Sequence, residues 1–197
     1  MKKRIIIPII VFIVTLIICL FYFKTAHAAD ESTYEDISIS VSHESTPIPY
    51  IDIYMSANRF KSYMNYKAIT KKSSPQYALQ QLCGTDADGF RKCADRYVIA
   101  VGSGVGGRVG DCVDLILANG QVIYCVIGDY KGNQHTDAAN LTGKNGCCSE
   151  FIVDTALLRP DIKAGGNVGF GYVGWDSPVA LIRRYGTNYL NLTIGGN

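Results

Sequence analysis

What this chain lacks, once its first 28 residues are set aside, is an excess of charge. Four of its 19 basic residues, Lys2, Lys3, Arg4 and Lys24, fall in that opening segment, and none of its 17 acidic residues does. The remaining 169 residues therefore carry 15 basic against 17 acidic side chains, a net charge of −2. No basic stripe is left, which argues against nucleic acid as a partner, because such binding is dominated by phosphate neutralisation. Thiolate pairs at the short spacing of zinc sites are missing too, and the vicinal Cys147-Cys148 cannot both ligate one ion comfortably. Asp86-Ala-Asp88-Gly89 starts like a calcium loop, but the position that must hold Glu is Tyr97, so a plain loop is expected. Gly102-Ser-Gly104-Val-Gly-Gly107 has dinucleotide-loop spacing but leads into a β-hairpin instead of the helix whose N-terminus would hold a pyrophosphate. No cofactor and no metal are expected.

What is present begins with a leader. Met1-Lys-Lys-Arg4 is basic, Ile5 to Phe23 contains no charge, and Ala26-His-Ala28 has the small-x-small form of a signal-peptidase site. Residues 1–28 read either as a cleaved signal peptide or as a retained anchor crossing the membrane with residues 5–23. In both cases the rest lies outside the cytoplasm, secreted or held on the outer face of the membrane, because the positive flank stays in. Residues 29–49, rich in Ser, Glu and Thr, read as a linker. Cys19 belongs to the leader, and the six cysteines that follow it face an oxidising compartment that favours disulfides. Cys83 and Cys93, ten residues apart, are the first pair expected. A two-residue turn at Asn119-Gly120 would oppose Cys112 to Ile127 and make Cys112 and Cys125 diagonal neighbours on one face.

Residues 50–94 read as a helical or irregular extension. Phe60, Tyr63, Met64 and Lys67 recur at helical spacing, and Ser73-Ser74-Pro75-Gln76 forms a helix start ahead of Leu79, Leu82 and Cys83. From residue 95 to 197 the pattern is β: Tyr97 to Val101, the hairpin around Asn119-Gly120, Glu150 to Val153, Asn167 to Val173, and two strands around Gly186-Thr-Asn188. Thr155 to Arg159 allows one helical turn before Pro160. The expected fold is mainly β, a small six-stranded barrel preceded by a short helical segment and the N-terminal signal or anchor helix.

The apolar run Val122 to Gly128 ends abruptly in Asp129 and is followed by His135 and Asp137; Glu150-Phe-Ile-Val-Asp154 is a second apolar run closing on a carboxylate. If these strands lie side by side, their carboxylates meet at one rim. A Gly-rich strand, a hairpin, a strand ending in Asp129, an irregular loop and Phe-Ile-Val-Asp154-Thr155 together resemble the double-psi β-barrels of expansins, rare lipoprotein A and the three-aspartate domains of cell-wall lytic enzymes. The resemblance covers Tyr97 to Ile194, with Asp129-Tyr-Lys-Gly132 setting the glycine one place later than the Asp-x-Gly of three-aspartate proteins. The Gly-Asp-x-Lys and His-Thr-Asp motifs are also similar to those of exported proteins of clostridia-like bacteria.

The resemblance implies a bacterial cell-envelope protein whose partner is peptidoglycan or another cell-wall glycan. It implies a sugar groove flanked by Asp129 and Asp154, one of them a general acid, with Asp137 as a third aspartate and His135 beside them. Lys131, Glu150, Tyr130 and Trp175 are expected to bind substrate. A lytic transglycosylase manages with one acid, since the sugar's own hydroxyl attacks; a hydrolase needs a second carboxylate about 5 to 9.5 Å away. Two other readings stay open: a carbohydrate-binding module whose aspartates only cap turns, and a peptidase built on His135 with Cys147 or Cys148.

Overall fold

The computed structural model describes residues 48–194, with side chains to Asn191. The leader and nearly all of the linker read from the sequence lie outside the described residues. Nine strands and three helices follow one another within them. These are β1 (Tyr50–Tyr54), β2 (Ser62–Asn65), α1 (Pro75–Leu82), β3 (Gly84–Thr85), β4 (Arg91–Cys93), β5 (Arg96–Gly102) and β6 (Asp111–Leu117). Then come β7 (Val122–Lys131), β8 (Ser149–Val153), α2 (Pro160–Gly165), β9 (Val179–Asn188) and α3 (Tyr189–Ile194). Among the described residues no helix is long and apolar enough to cross a membrane.

The protein is mainly β, as its alternating and apolar runs predict, but the strands form one mixed sheet that is not closed. Its order is β1-β9-β6-β7-β5-β4-β3, with β8 also against β5 and β2 against β8. Most ladders are antiparallel; β5/β7 and β2/β8 are parallel. Along one edge β5 pairs first with β4 and then, from Ile99 to Val101, with β8. The stretch before residue 95 is therefore no separate extension, because β1, β2 and β4 are sewn into the same sheet.

Two apolar layers hold the sheet. Ile99, Val101, Leu115, Ile127, Phe151 and Ile182 belong to the larger one. Val98, Val126 and Ile152 lie with Leu79 of α1 and Cys83 and Cys93 in the smaller. α1 starts where expected, its Ser74 hydroxyl accepting from the Tyr77 N–H with Pro75 in the first turn. Cys83 and Cys93 are joined, Cα atoms 4.4 Å apart, tying the end of α1 to β4.

Local departures from the expected elements have identifiable causes. Ser62 to Asn65 forms a strand because β8 offers it a parallel ladder, which outweighs the helical spacing of its aromatic residues. Residues 167–173 turn instead of extending: the Asn167 side chain accepts from the N–H groups of Lys61 and Gly169 and starts a 3-10 turn. Pro160 opens α2 where it was read as a stop. β9 runs unbroken through Gly186 to Asn188, whose carbonyl oxygen Oδ1 takes the Leu190 N–H, so a helix follows in place of a hairpin partner.

The β6–β7 hairpin closes with three loop residues, not two. The Leu117 N–H donates to Gln121 O at 2.8 Å, and Gly120, at φ +86°, takes the left-handed position. Cys112 consequently opposes Val126 and Val113 opposes Cys125. A one-residue slip turns a strand over, so Cys112 and Cys125 lie on opposite faces, and both are free and buried along with Cys147 and Cys148.

Candidate functional site

The site is set by a bulge in β7. Ile127 lies opposite Ile99 of β5, but Ala100 lies opposite Asp129, so Gly128 is an extra residue in the ladder. A Cβ at Gly128 would stand 2.2 Å from Val98 Cγ1 and 2.9 Å from Ile152 Cδ1, a space that takes glycine alone. Beyond the bulge Asp129 emerges half-buried. Its Oδ1 accepts one long hydrogen bond, 3.4 Å from Gln76 Nε2. The carboxylate borders an open cleft of about 400 Å³ whose other wall is residues 68–76, leading into α1.

Across Ala100 from Asp129 stands Glu150 of β8, and across Glu150 stands Ser62 of β2. Ser62, Glu150, Ala100 and Asp129 thus form one row over four strands, with Asp129 and Glu150 two strand spacings, about 10 Å, apart. The Ser62 hydroxyl donates to Glu150 Oε1 at 3.1 Å, and Lys131 Nζ lies 3.2 Å from the same oxygen. Lys131 also donates to Cys147 Sγ at 3.1 Å, while Asn145 Oδ1 is 2.9 Å from that sulfur. This network forms the floor of a second cleft of about 410 Å³, lined by Lys131, Gly132, His135, Lys144, Asn145 and Glu150. A third opening, about 460 Å³, shares Pro75 and Gln76 with the first and is lined further by Arg108 and Tyr130.

Asp154 is not part of this arrangement. β8 is antiparallel to β5 whereas β7 is parallel to it, so β7 and β8 end at opposite ends of the sheet. Asp154 lies about four residues, some 13 Å, along β5 from the level of Asp129, and on the far side of it. Its Oδ1 accepts from the Ala156 N–H at 3.0 Å, and its backbone carbonyl takes the N–H groups of Leu157 and Leu158. The expectation that the two strands are neighbours with a shared carboxylate rim is therefore corrected: β5 separates them.

The other expected residues divide in the same way. Asp137 ties a turn, accepting from the Leu141 and Thr142 N–H groups at 2.9 and 3.2 Å. Trp175 belongs to an aromatic cluster with Tyr97, Phe151 and Tyr172, ring centroids 4.5–5.7 Å away, and its carbonyl receives the buried Lys61 ammonium at 2.6 Å. Tyr130 is half-buried, its hydroxyl 3.4 Å from Gly106 O. His135 is exposed and makes no hydrogen bond to Cys147, which is fully buried. Burial pushes the neighbouring Cys148 thiol up to about 12, so Cys148 presents no ready nucleophile. Among the described residues no group of three or more His, Cys, Asp or Glu side chains could hold a metal ion.

Gln76, Ser62, Lys144 and Asn145 complete the clefts and were missed by sequence reasoning. Gln76 and Ser62 lie 53 and 88 residues from their partners Asp129 and Glu150, and no local pattern marks such pairs. Compared with known proteins, the chain matches no family model and no curated protein.

Proposed function

We propose that this chain is an exported cell-envelope protein, that its sheet is of the double-psi kind, and that it cleaves peptidoglycan glycan with Asp129 as the single acid. The observation that carries the reading is the state of Asp129: a half-buried carboxylate with one 3.4 Å hydrogen bond, at the edge of an open cleft. The parallel β5/β7 ladder, with β6 intervening in sequence and pairing on the other side of β7, and the bulge that aims Asp129, support the fold reading.

The chemistry suits one carboxyl group. Asp129 gives its proton to the leaving oxygen as the glycosidic C–O bond breaks. A hydroxyl of the same sugar closes on the anomeric carbon, and its proton returns to the Asp129 carboxylate. Hydrolysis would call on a second, free carboxylate; Asp154 is remote and Glu150 is held by Lys131 and Ser62. General acids of this type are kept protonated by burial, and a glycan lying in the cleft supplies it. The test is digestion of purified bacterial cell walls by the full-length chain, with analysis of the released fragments. Internal-ether sugar ends are expected. Reducing ends would point to hydrolysis, and binding without release to a non-catalytic module; either result overturns the reading.

A further inference from the structure

The cleft lined by Lys131, two residues beyond Asp129, presents polar groups and a positive charge, that of Lys144, which no described residue uses. Lys131 is spent within the floor: its side chain is 7% exposed, and its ammonium is shared between Glu150 and Cys147. Lys144 and His135 are different. Both are exposed, both line the cleft, and neither side chain makes a hydrogen bond or ion pair with any described residue. They are held together from below, since the Lys144 N–H donates to His135 O at 2.9 Å and the Gly143 N–H to Cys147 O at 2.8 Å. The loop's one acid, Asp137, is consumed by two backbone N–H groups.

We propose that this cleft is a subsite for the carboxylate of an acidic sugar, with Lys144 and His135 as the groups that read it and the Lys131–Glu150 pair as its fixed floor. The proposal rests on Asp129 being the acid of a glycan site. Lys131 follows Asp129 by two residues on β7, about 7 Å, so a sugar whose bond is protonated at Asp129 places a ring substituent over this cleft. Charge selects a carboxylate over a phosphate: Glu150 lies in the lining, and its negative charge tolerates a monoanion better than a dianion. A hydrogen bond to a charged group, made where the partners are otherwise unpaired, is worth about tenfold in affinity.

The experiment measures binding of two tetrasaccharides to the full-length Asp129→Asn protein, which holds substrate without turnover. One is neutral chitotetraose; the other is the peptide-free glycan tetrasaccharide in which alternate sugars bear a lactyl carboxylate. The lactyl form is expected to bind about tenfold tighter, and Lys144→Gln to remove most of that advantage, read as the ratio of the two affinities in the same variant. His135→Gln should remove a smaller part. Equal affinity for the two sugars overturns the subsite and leaves the glycan reading standing, whereas binding of neither overturns the glycan reading itself. Inorganic phosphate displacing the lactyl sugar more strongly than lactate does would overturn the assignment to a carboxylate.

Discussion

β7 and β8 both carry an apolar run to an aspartate, and the two ends they reach could hardly differ more. At the β7 end Asp129 has one long contact and borders an open cleft, and a second cleft is lined by Lys131, two residues further on. At the β8 end polar groups are knotted together: Asp154 takes the Ala156 N–H, Asp88 takes the Tyr172 hydroxyl at 2.6 Å, and the Arg159 guanidinium spans Asp161 and Gly171 O. Groups that are fully satisfied stabilise, and groups left with unused hydrogen-bonding capacity beside open space are available to a ligand. The surroundings of the two carboxylates, more than the residues that precede them, therefore set them apart.

The strongest way to break this comparison is to exchange the roles. On the proposed reading, Asp129→Asn should lower the rate of glycan cleavage by about 10²- to 10⁴-fold with the melting temperature unchanged, because the amide keeps the shape but gives up no proton. An equal loss from Asp154→Asn would erase the distinction. Next in size, the Cys83→Ser, Cys93→Ser double variant should lose about 3 kcal/mol in urea unfolding, the value for so short a loop. Since the bond holds α1, which walls the Asp129 cleft, cleavage should fail at a lower urea concentration than the fluorescence change of Trp175.

Alkaline pH acts beneath both ends. Burial raises the Cys148 thiol from 9.0 to about 12, so above pH 9 the unfolded chain releases a proton that the folded chain keeps. The resulting stability is full below 9 and falls by about 1.4 kcal/mol per pH unit towards 12. Tyr185, raised from 10.0 to about 12 by burial and by its hydrogen bond to Asp114, adds to the fall. Urea midpoints at rising pH should show the decline, and Cys148→Ala should make it shallower, the buried Cys125 thiol, also raised well above its ordinary value by burial, keeping part of the slope. A Cys148→Ala protein with an unaltered slope would refute the assignment. The smallest effect belongs to Asp154→Ala, expected to lower stability by about 1 kcal/mol, the value of a lost cap, with cleavage kinetics unaltered.

The mainly β character, the start of α1 and the Cys83–Cys93 pair were all legible, because each rests on local pattern: alternation, a Ser-Pro cap, a short loop; the strand read as ending at Asp129 instead runs on to Lys131. Sheet order was not. Whether Asp154 lies beside Asp129 depends on β5 entering between β7 and β8, a fact of long-range pairing that no window of residues contains. The hairpin register shows the limit most sharply. Asn119-Gly120 marked the turn, yet the extra loop residue Ala118 moved the ladder by one, and with it the face of every side chain. Lys144 and Asn145 escaped notice because a loop residue becomes part of a cleft only through the path of its loop.

β1 pairs with β9, and the Asp52 carboxylate receives the Arg183 guanidinium from 131 residues further on. Among the described residues the first strand and the last are thus paired with each other. A chain emerging N-terminus first can oxidise Cys83 with Cys93 early, but β1 and β6 must wait for Val179 to Asn188 before either gains that neighbour. Such distant pairing slows folding and leaves strand edges open to the wrong partner meanwhile. Chains halted before residue 179 should consequently be more prone to aggregate than the full chain, since Tyr50 to Tyr54 and β6 would lack their β9 partner.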